Sequence, residues 1–423
     1  MLLATTPSWG QAGAGPHLQS ELAAHAPRVT LQDAISRAMA KNPTYAAALL
    51  EVRRAEAVVR ESKAAWLPTI YGNSGFTHLD GDRVSQGVVV ERQNELGANL
   101  TLTVPLVMTR QWMTTEESRL AADATAATSA DARRTVAYAT GEAYLAVYAQ
   151  KCVIDVDERA RDTAKGHADY AGQRYAGGVG NSLDEVRAMQ EVASDDALVQ
   201  QAYAQLSAAE EALGILAATD GPLDTAEDAL IAAPPGLDDG LNEAKHRTDV
   251  LALGARLKAA EKAVQDDWSD YAPYLVGVAE PFYQNPPILP STPTNGYVLE
   301  LLLTVPLYDG GLRYGQHRER DALRAEAKVA YEAGLRQARS DVRAAFEAMR
   351  RADAGLRSSR DAADLARRAL ELANLAYRAG AVTNIEVIDA ERQARDAATA
   401  AEVAADTSRQ ARLAMLAATG HLP

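Results

Sequence analysis

A single cysteine, Cys152, stands in the 423 residues, so no intramolecular disulfide and no cysteine-based zinc cluster can form. Its spacing from Leu145 and Tyr138 marks it as an inert thiol on a helix face. Aromatics make up only 5% of the chain and alanine dominates, which suits long, closely packed helices better than a thick globular core. No apolar run approaches the roughly 18 residues a membrane-spanning helix needs, which excludes an α-helical membrane protein. Basic residues are outnumbered, with a net charge of −14 and no basic stripe able to neutralise phosphates, which excludes a nucleic-acid partner. The seven histidines are scattered and none stands in a metal-ligand spacing. Gly177-Gly178 and Gly310-Gly311 lack the strand-to-helix setting of a phosphate loop. No Ser/His/Asp set stands out, so neither an enzyme nor a cofactor or metal is expected. Met1 to Gly15 is uncharged and ends in small residues, so residues 1–28 read as a leader or the remnant of a signal peptide. No cysteine is present there to carry a lipid.

What the chain does have is a repeat. YRAGAVTNIEVIDA, Tyr377 to Ala390, echoes RYAGGVGNSLDEVRA, Arg174 to Ala188. Tyr175 falls on Tyr377, Gly178 on Gly380, Leu183 on Ile385, Asp184 on Glu386 and Ala188 on Ala390. LTVPL occurs at Leu102 to Leu106 and again at Leu303 to Leu307. Ala55-Glu56 leads to Pro68 as Ala260-Glu261 leads to Pro273. Matches in one order, each offset by about 200 residues, point to one duplicated supersecondary unit. The expected division is a first repeat at 29–218, a linker at 219–240 rich in proline and acids, and a second repeat at 241–423.

Within each repeat the periodicity changes. Thr30 is a candidate N-cap with Asp33 three residues on, and Leu31, Ala34, Ile35 and Ala38 form the apolar face of a first helix. Asn42-Pro43 breaks it, and a second helix runs to Trp66 before Pro68 ends it. From Leu96 to Leu106 the period becomes two, with Leu96, Ala98, Leu100, Leu102, Val104 and Leu106 on one face and Gly97, Asn99, Thr101 and Thr103 on the other. Ile70 to Leu79 is a weaker partner strand, and the polar stretch Asp80 to Glu95 reads as a loop. Tyr274 to Phe282 and Tyr297 to Leu307 repeat this pair around a proline-rich stretch, Pro286 to Pro293.

After Pro105 and Pro306, helical periodicity resumes and persists for about seventy residues, on the order of 100 Å of helix. Leu335, Val342, Met349, Leu356, Ala363, Leu370 and Tyr377 keep a spacing of seven. The position three further on is small, from Ala338 and Ala345 to Ala373, so neighbouring helices can approach closely. Val192, Val199, Leu206 and Leu213 keep the same spacing after the first turn. Two antiparallel coiled-coil hairpins are expected, turned by Gly178 and Gly380 in left-handed conformation.

Four strands of about ten residues, greasy on one face, have the length of tilted strands crossing a bilayer. Alone, such strands read more readily as a half-buried soluble sheet. Beside two very long hairpins in a duplicated chain, the membrane reading prevails. Four strands cannot close, and an open edge in lipid leaves backbone groups unpaired, so several chains must share one barrel.

The order helix, helix, strand, strand, very long helix, glycine turn and return helix, given twice, resembles the TolC-like outer membrane efflux protein family. The likeness runs from Val29 to Leu422 and is most specific at the two TVPL strand ends, at PLYDGGLRYGQ and at GAVTNIEVIDA. It implies a mainly α chain with membrane β-strands. It also implies a homotrimer, with a twelve-stranded barrel in the Gram-negative outer membrane continuing into a twelve-helix periplasmic tunnel. The implied function is a passive exit duct for cargo delivered by an inner-membrane transporter, ABC or proton-driven, through a periplasmic adaptor. Type I protein (toxin) secretion is the expected task and multidrug efflux the alternative. A periplasmic coiled-coil adaptor or scaffold is the rival from another class, although paired barrel strands in both halves speak against it.

Residue by residue, the resemblance assigns Glu386 and Asp389 to acid rings at the periplasmic entrance. It places Asp184 and Tyr377 in a network that keeps the entrance shut. Val382 stands where the family's best-studied member has an arginine, so Arg378, Arg187 or Arg174 is expected to supply the closing bond. Tyr175 and Arg174 are the candidates for adaptor contact. Without the resemblance, carboxylates around a narrow aqueous mouth focus a negative potential that favours cations. The plainer reading of Asp184 and Glu386 is helix N-capping in a solvated turn.

Overall fold

The computed structural model describes residues 26–85, 87–226, 231–287 and 292–421. The expected leader up to residue 25 and the middle of the proline-rich stretch, 288–291, lie outside the described residues. In chain order the elements are β1 (Arg28–Val29), α1 (Leu31–Lys41), α2 (Pro43–Ala64), β2 (Thr69–His78), β3 (Arg83–Ser85), β4 (Val88–Glu91) and β5 (Asn94–Val107). Next come α3 (Thr109–Ala176), α4 (Ser182–Leu216), β6 (Asp224–Thr225), α5 (Leu237–Glu243) and α6 (Thr248–Gln265), with short 3-10 turns at Ala244–His246 and Asp267–Tyr271. The chain closes with β7 (Tyr274–Asn285), β8 (Asn295–Thr304), α7 (Leu312–Arg378) and α8 (Asn384–Thr419).

The helix boundaries follow their local chemistry. Thr30 caps α1, its hydroxyl accepting from Asp33 N at 3.2 Å, and Ala34, Ile35 and Ala38 are buried as the periodicity requires. Asn42 ends that helix and serves the next, accepting from Thr44 N at 2.9 Å while its amide donates to the Leu216 carbonyl at 2.9 Å. The second helix ends at Ala64 rather than Trp66, because the residues leading to Pro68 unwind into turn bonds from Trp66 N and Leu67 N. Along α7 the spacing of seven is visible as burial. Leu335, Val342, Met349, Leu356, Ala363, Leu370 and Tyr377 are buried or half-buried, as is each small residue three further on. The stretch expected as a loop between the first two strands carries a small hairpin, β3 with β4, in which Val84 and Val89 supply a β-branched pair.

The chain gathers into two units, and each draws on both repeats. One comprises Ala47–Asp131 and Lys245–Ala338 and contains the sheet. Its strand order is β2-β5-β7-β8, antiparallel throughout, so that β5 and β7 join the two repeats and β2 and β8 are edges. Register puts Leu96, Leu100 and Leu102 on one face with Tyr297, Leu299, Leu301 and Leu303; Leu299 and Leu301 are each 71% exposed. On the opposite face, the Asn99 amide donates to Glu280 at 2.7 Å and the Gln284 amide reaches Glu95. The second LTVPL run leaves the sheet at Thr304, so Val305 and Leu307 lie beyond the strand.

The other unit comprises Met1–Ala46, Ala132–Ala244 and Arg339–Pro423 and holds both hairpin turns. Its main apolar cluster joins Val29, Ala34, Tyr144, Val147, Leu213, Ala217 and Leu223. Leu223 comes from the expected linker, where Asp224 and Thr225 pair in parallel with Arg28 and Val29. Lys151 on α3 holds this pairing, donating to the Asp224 carboxylate at 2.7 Å and the Thr225 carbonyl at 2.9 Å. Among the described residues no helix is long and apolar enough to cross a membrane.

Candidate functional site

The two turns share a backbone because each places a glycine where only a glycine is relaxed. Gly178 and Gly380 both have φ of 72°, in the left-handed region. Gly178 N donates to the Tyr175 carbonyl at 3.0 Å and Gly380 N to the Tyr377 carbonyl at 3.0 Å. One residue on, Val179 N donates to the Arg174 carbonyl and Ala381 N to the Ala376 carbonyl, so both helices close with the same capping pattern.

The helices that leave the turns start differently. Asn181 caps α4, its side chain accepting from Leu183 N at 3.1 Å. Thr383 and Glu386 form a reciprocal capping box on α8, with Thr383 N donating to Glu386 Oε2 at 3.4 Å. The plainer capping role thus applies to one oxygen of Glu386, while Asp184 is not the cap. Glu386 and Asp389 are both exposed, and the Asp389 charge reaches Arg392.

Tyr377 is buried and belongs to an aromatic stack. The His167 ring lies 5.3 Å away and nearly parallel, Tyr170 meets it edge-on at 6.0 Å, and the Arg174 guanidinium sits 5.0 Å over its face. Burial raises the Tyr377 pKa; the positive charge of Arg174, which also hydrogen-bonds the phenol, opposes that, and the Asp184 charge adds to it. Of the three arginines expected to latch the turn, Arg174 is the one that engages the tyrosine. Arg378 lies 5.9 Å over the Tyr170 ring, and Arg187 is exposed. Tyr175 is 49% exposed on the first turn.

Sequence reasoning missed the polar seam joining the two hairpins. Glu191, 1% exposed, accepts both from Arg392 Nη2 at 2.5 Å and from its Nε at 2.8 Å. Buried Asp195 pairs with Arg395, which also lies 3.5 Å from Glu191. Asn384, buried at the start of α8, accepts from or donates to its neighbours on both sides. Its Oδ1 lies 2.6 Å from His167 Nε2, and its amide donates to the Asp184 carbonyl at 3.2 Å. A sequence signal for these pairs existed. They join residues 201, 200 and 200 apart, close to the offset of the duplication, so polar partners one or two places from repeat-equivalent positions mark where one hairpin lies against the other.

Burial shifts the acids of this seam. Asp195 is raised by burial, against the hydrogen bond from Arg395. Glu391, 8% exposed, is pushed up to about 7 by burial first and then by the charges of Glu191 and Asp195. Neither of its oxygens has a hydrogen-bond partner. It lines a cavity of about 480 Å³ together with His167, Tyr170, Glu371, Tyr377 and Arg378. Among the described residues no group of acids, histidines and cysteine is arranged to hold a metal.

With that geometry established, likeness to known proteins decides the family. The family model described as "Outer membrane efflux protein" matches residues 34–219 and 242–421, nearly the whole chain and in two segments. The chain belongs to the outer membrane efflux protein family. It is accordingly an outer-membrane protein of the Gram-negative envelope, with its helical part in the periplasm. The solved structure of CusC is similar with a TM-score of 0.82 at 16% identity, covering 93% of either chain. VceC from Vibrio cholerae gives 0.77 at 18% identity over 92% of this chain and 96% of that one. The MtrE channel of Neisseria gonorrhoeae, in its open state, gives 0.76 at 20% identity over 92% and 88%. At these identities the likeness shows the fold: a mainly α protomer with membrane β-strands, of the channel-tunnel kind. No curated protein sequence matches it significantly. By family this efflux protein is a channel component.

Proposed function

We propose that three copies of this efflux protein assemble into a passive exit duct whose periplasmic mouth is ringed by Glu386 and Asp389. The open sheet carries this reading. Its strands β2 and β8 are both edges, and one face presents leucines and tyrosine that stand exposed in the single chain. An open edge in lipid costs several kcal/mol per unpaired backbone group, so β2 of one copy pairs with β8 of the next until the ring closes. Three copies make twelve strands. Energy comes from an inner-membrane transporter, ABC or proton-driven, that reaches the duct through a periplasmic adaptor. Exposed Tyr175, with Arg174 beside it, is the proposed adaptor contact on the first turn. Asp184, Tyr377, Arg378 and Arg187 form the proposed gate network, with Arg174 supplying the bond that Val382 cannot.

The cargo reading is type I protein export, for which the turn acids are the supporting feature; efflux of small molecules is the alternative. Planar-bilayer conductance of the purified protein tests the duct. Small, discrete, cation-selective openings are expected, and Glu386→Gln/Asp389→Asn is expected to abolish the selectivity while leaving the openings. Openings with unchanged selectivity would remove the acid mouth. No insertion, from protein shown to be folded and trimeric, would remove the duct. Secretion of a repeat-in-toxin protein against export of a dye by cells carrying the channel separates the two cargoes.

A further inference from the structure

The contact of His167 with Glu391 has one proton too few to be satisfied. Asn384 donates its amide to the Asp184 carbonyl at 3.2 Å, so its oxygen is the atom that faces His167 Nε2 at 2.6 Å, and Nε2 must carry a hydrogen. In the neutral ring Nδ1 is then a bare lone pair, and it lies 3.5 Å from Glu391 Oε1. Glu391 has no other partner for either oxygen, and both side chains are more than nine-tenths buried. A lone pair facing a carboxylate puts two acceptors in contact, and with both Glu391 oxygens buried that contact is costly. One hydrogen between them, carried on the Glu391 oxygen, lets the two atoms draw in from 3.5 Å to an O–H to nitrogen bond.

We propose that His167 and Glu391 form a binding site for a single shared proton, and that this proton clamps the start of the second return helix, α8, against the first long helix, α3. The site lies at one wall of the cavity whose rim residues Glu371 and Arg378 are exposed, which gives the proton a path from water.

The charged groups around Glu391 favour this occupancy. From α4, Glu191 and Asp195 face it, both negative. From α7, Glu371 and Arg378 line the cavity, and Asp364 and Arg367, paired with each other at 2.9 Å, line the neighbouring cleft. On α3, Arg159 lines the neighbouring cleft and Tyr170 lines the cavity with His167. On α8 itself, Arg392 and Arg395 are committed to Glu191 and Asp195. The carboxyl is raised from 4.5 to about 7, first by burial and then by Glu191 and Asp195. A raised carboxyl contributes stability that is complete below 4.5 and is lost as pH rises through about 7. Mildly alkaline conditions therefore empty the site, bury an uncompensated charge and loosen the second turn.

The test uses the full-length protein in lipid vesicles and reads proton and turn rather than transport, so it stands or falls separately from the duct reading. Infrared difference spectra across a step from pH 6 to pH 8.5, with trypsin cleavage after Arg378 relative to cleavage after Arg83, are taken for wild type and Glu391→Gln. A protonated-carboxyl band lost on the alkaline side in wild type and missing from the variant is expected. The cleavage ratio is expected to rise several-fold with pH in wild type and to stay flat in Glu391→Gln, whose amide donates a hydrogen at every pH. An unchanged band in the variant, or the same rise in its cleavage ratio, overturns the proposal. Should Glu391→Gln misfold, the apolar Glu391→Met carries the same expectation of a flat ratio. Histidine nitrogen resonances of the wild type supply an independent reading: Nδ1 without a hydrogen-bonded proton at pH 6 would overturn it as well.

Discussion

At the first turn Asn181 alone caps the helix that follows; at the second, Thr383 and Glu386 do so reciprocally and Asn384 reaches across to α3 and α4. The positions aligned with Asp389 and Asn384 in the first repeat are Arg187 and Ser182, both exposed. The backbones, with equal glycine angles and equal closing bonds, are nevertheless the same. A duplicated hairpin has thus kept the local physics that makes a turn and divided the side-chain tasks. The first turn contributes acceptors and acids along its return helix, and the second contributes the arginines and the asparagine that meet them.

The largest expected effect that would break this comparison is at Glu191. Glu191→Ala removes the carboxylate that holds exposed Arg392 and weakens the hold on Arg395, at about 2.5 kcal/mol for loss of charge-assisted hydrogen bonds. Its repeat-equivalent Gln393 is exposed, and Gln393→Ala is expected to stay within about 0.5 kcal/mol. Denaturant midpoints of the detergent-solubilised protein measure both, and similar losses would mean that the hairpins do not differ in burden. Next is Asn384→Ala, which leaves His167 Nε2 and the Asp184 carbonyl without their partner and is expected to cost about 2 kcal/mol. Ser182→Ala on the other turn is expected to cost almost nothing. Hydrogen exchange at the amides of 377–391 locates the Asn384 effect in the second turn. The smallest effect sharpens the shared part: Gly178→Ala and Gly380→Ala should each cost about 1 kcal/mol, and by equal amounts, because both sit at the same left-handed angle. A twofold difference between them would refute the equivalence of the backbones.

Much of the architecture is legible in the order of the residues alone. The spacing of seven from Leu335 to Tyr377 appears in the structure as a line of burial along α7, and Thr30 caps α1 through the Asp33 amide. Alternation placed the leucines of β5 and β8 on one face. These features are local: a period, a cap and a turn are written in neighbouring residues. The small hairpin β3–β4 was less legible, since its strands are three and four residues long and surrounded by polar side chains.

The candidate site divides along the same line. The turn glycines and the exposed acids Glu386 and Asp389 were visible as a motif. The seam of buried His167, Glu191, Asp195 and Glu391, with Arg392 and Arg395 reaching into it, was not, because charged residues on a helix read as a solvated face until another helix covers them. By itself the sequence determined the two long hairpins, their glycine turns and a sheet with one greasy face, since each follows from the backbone preferences and periodicity of adjacent residues. Only the tertiary structure decided which charges are buried and which stay wet. That depends on residues some two hundred positions apart meeting across two helices, where burial, rather than residue type, sets the cost of a charge.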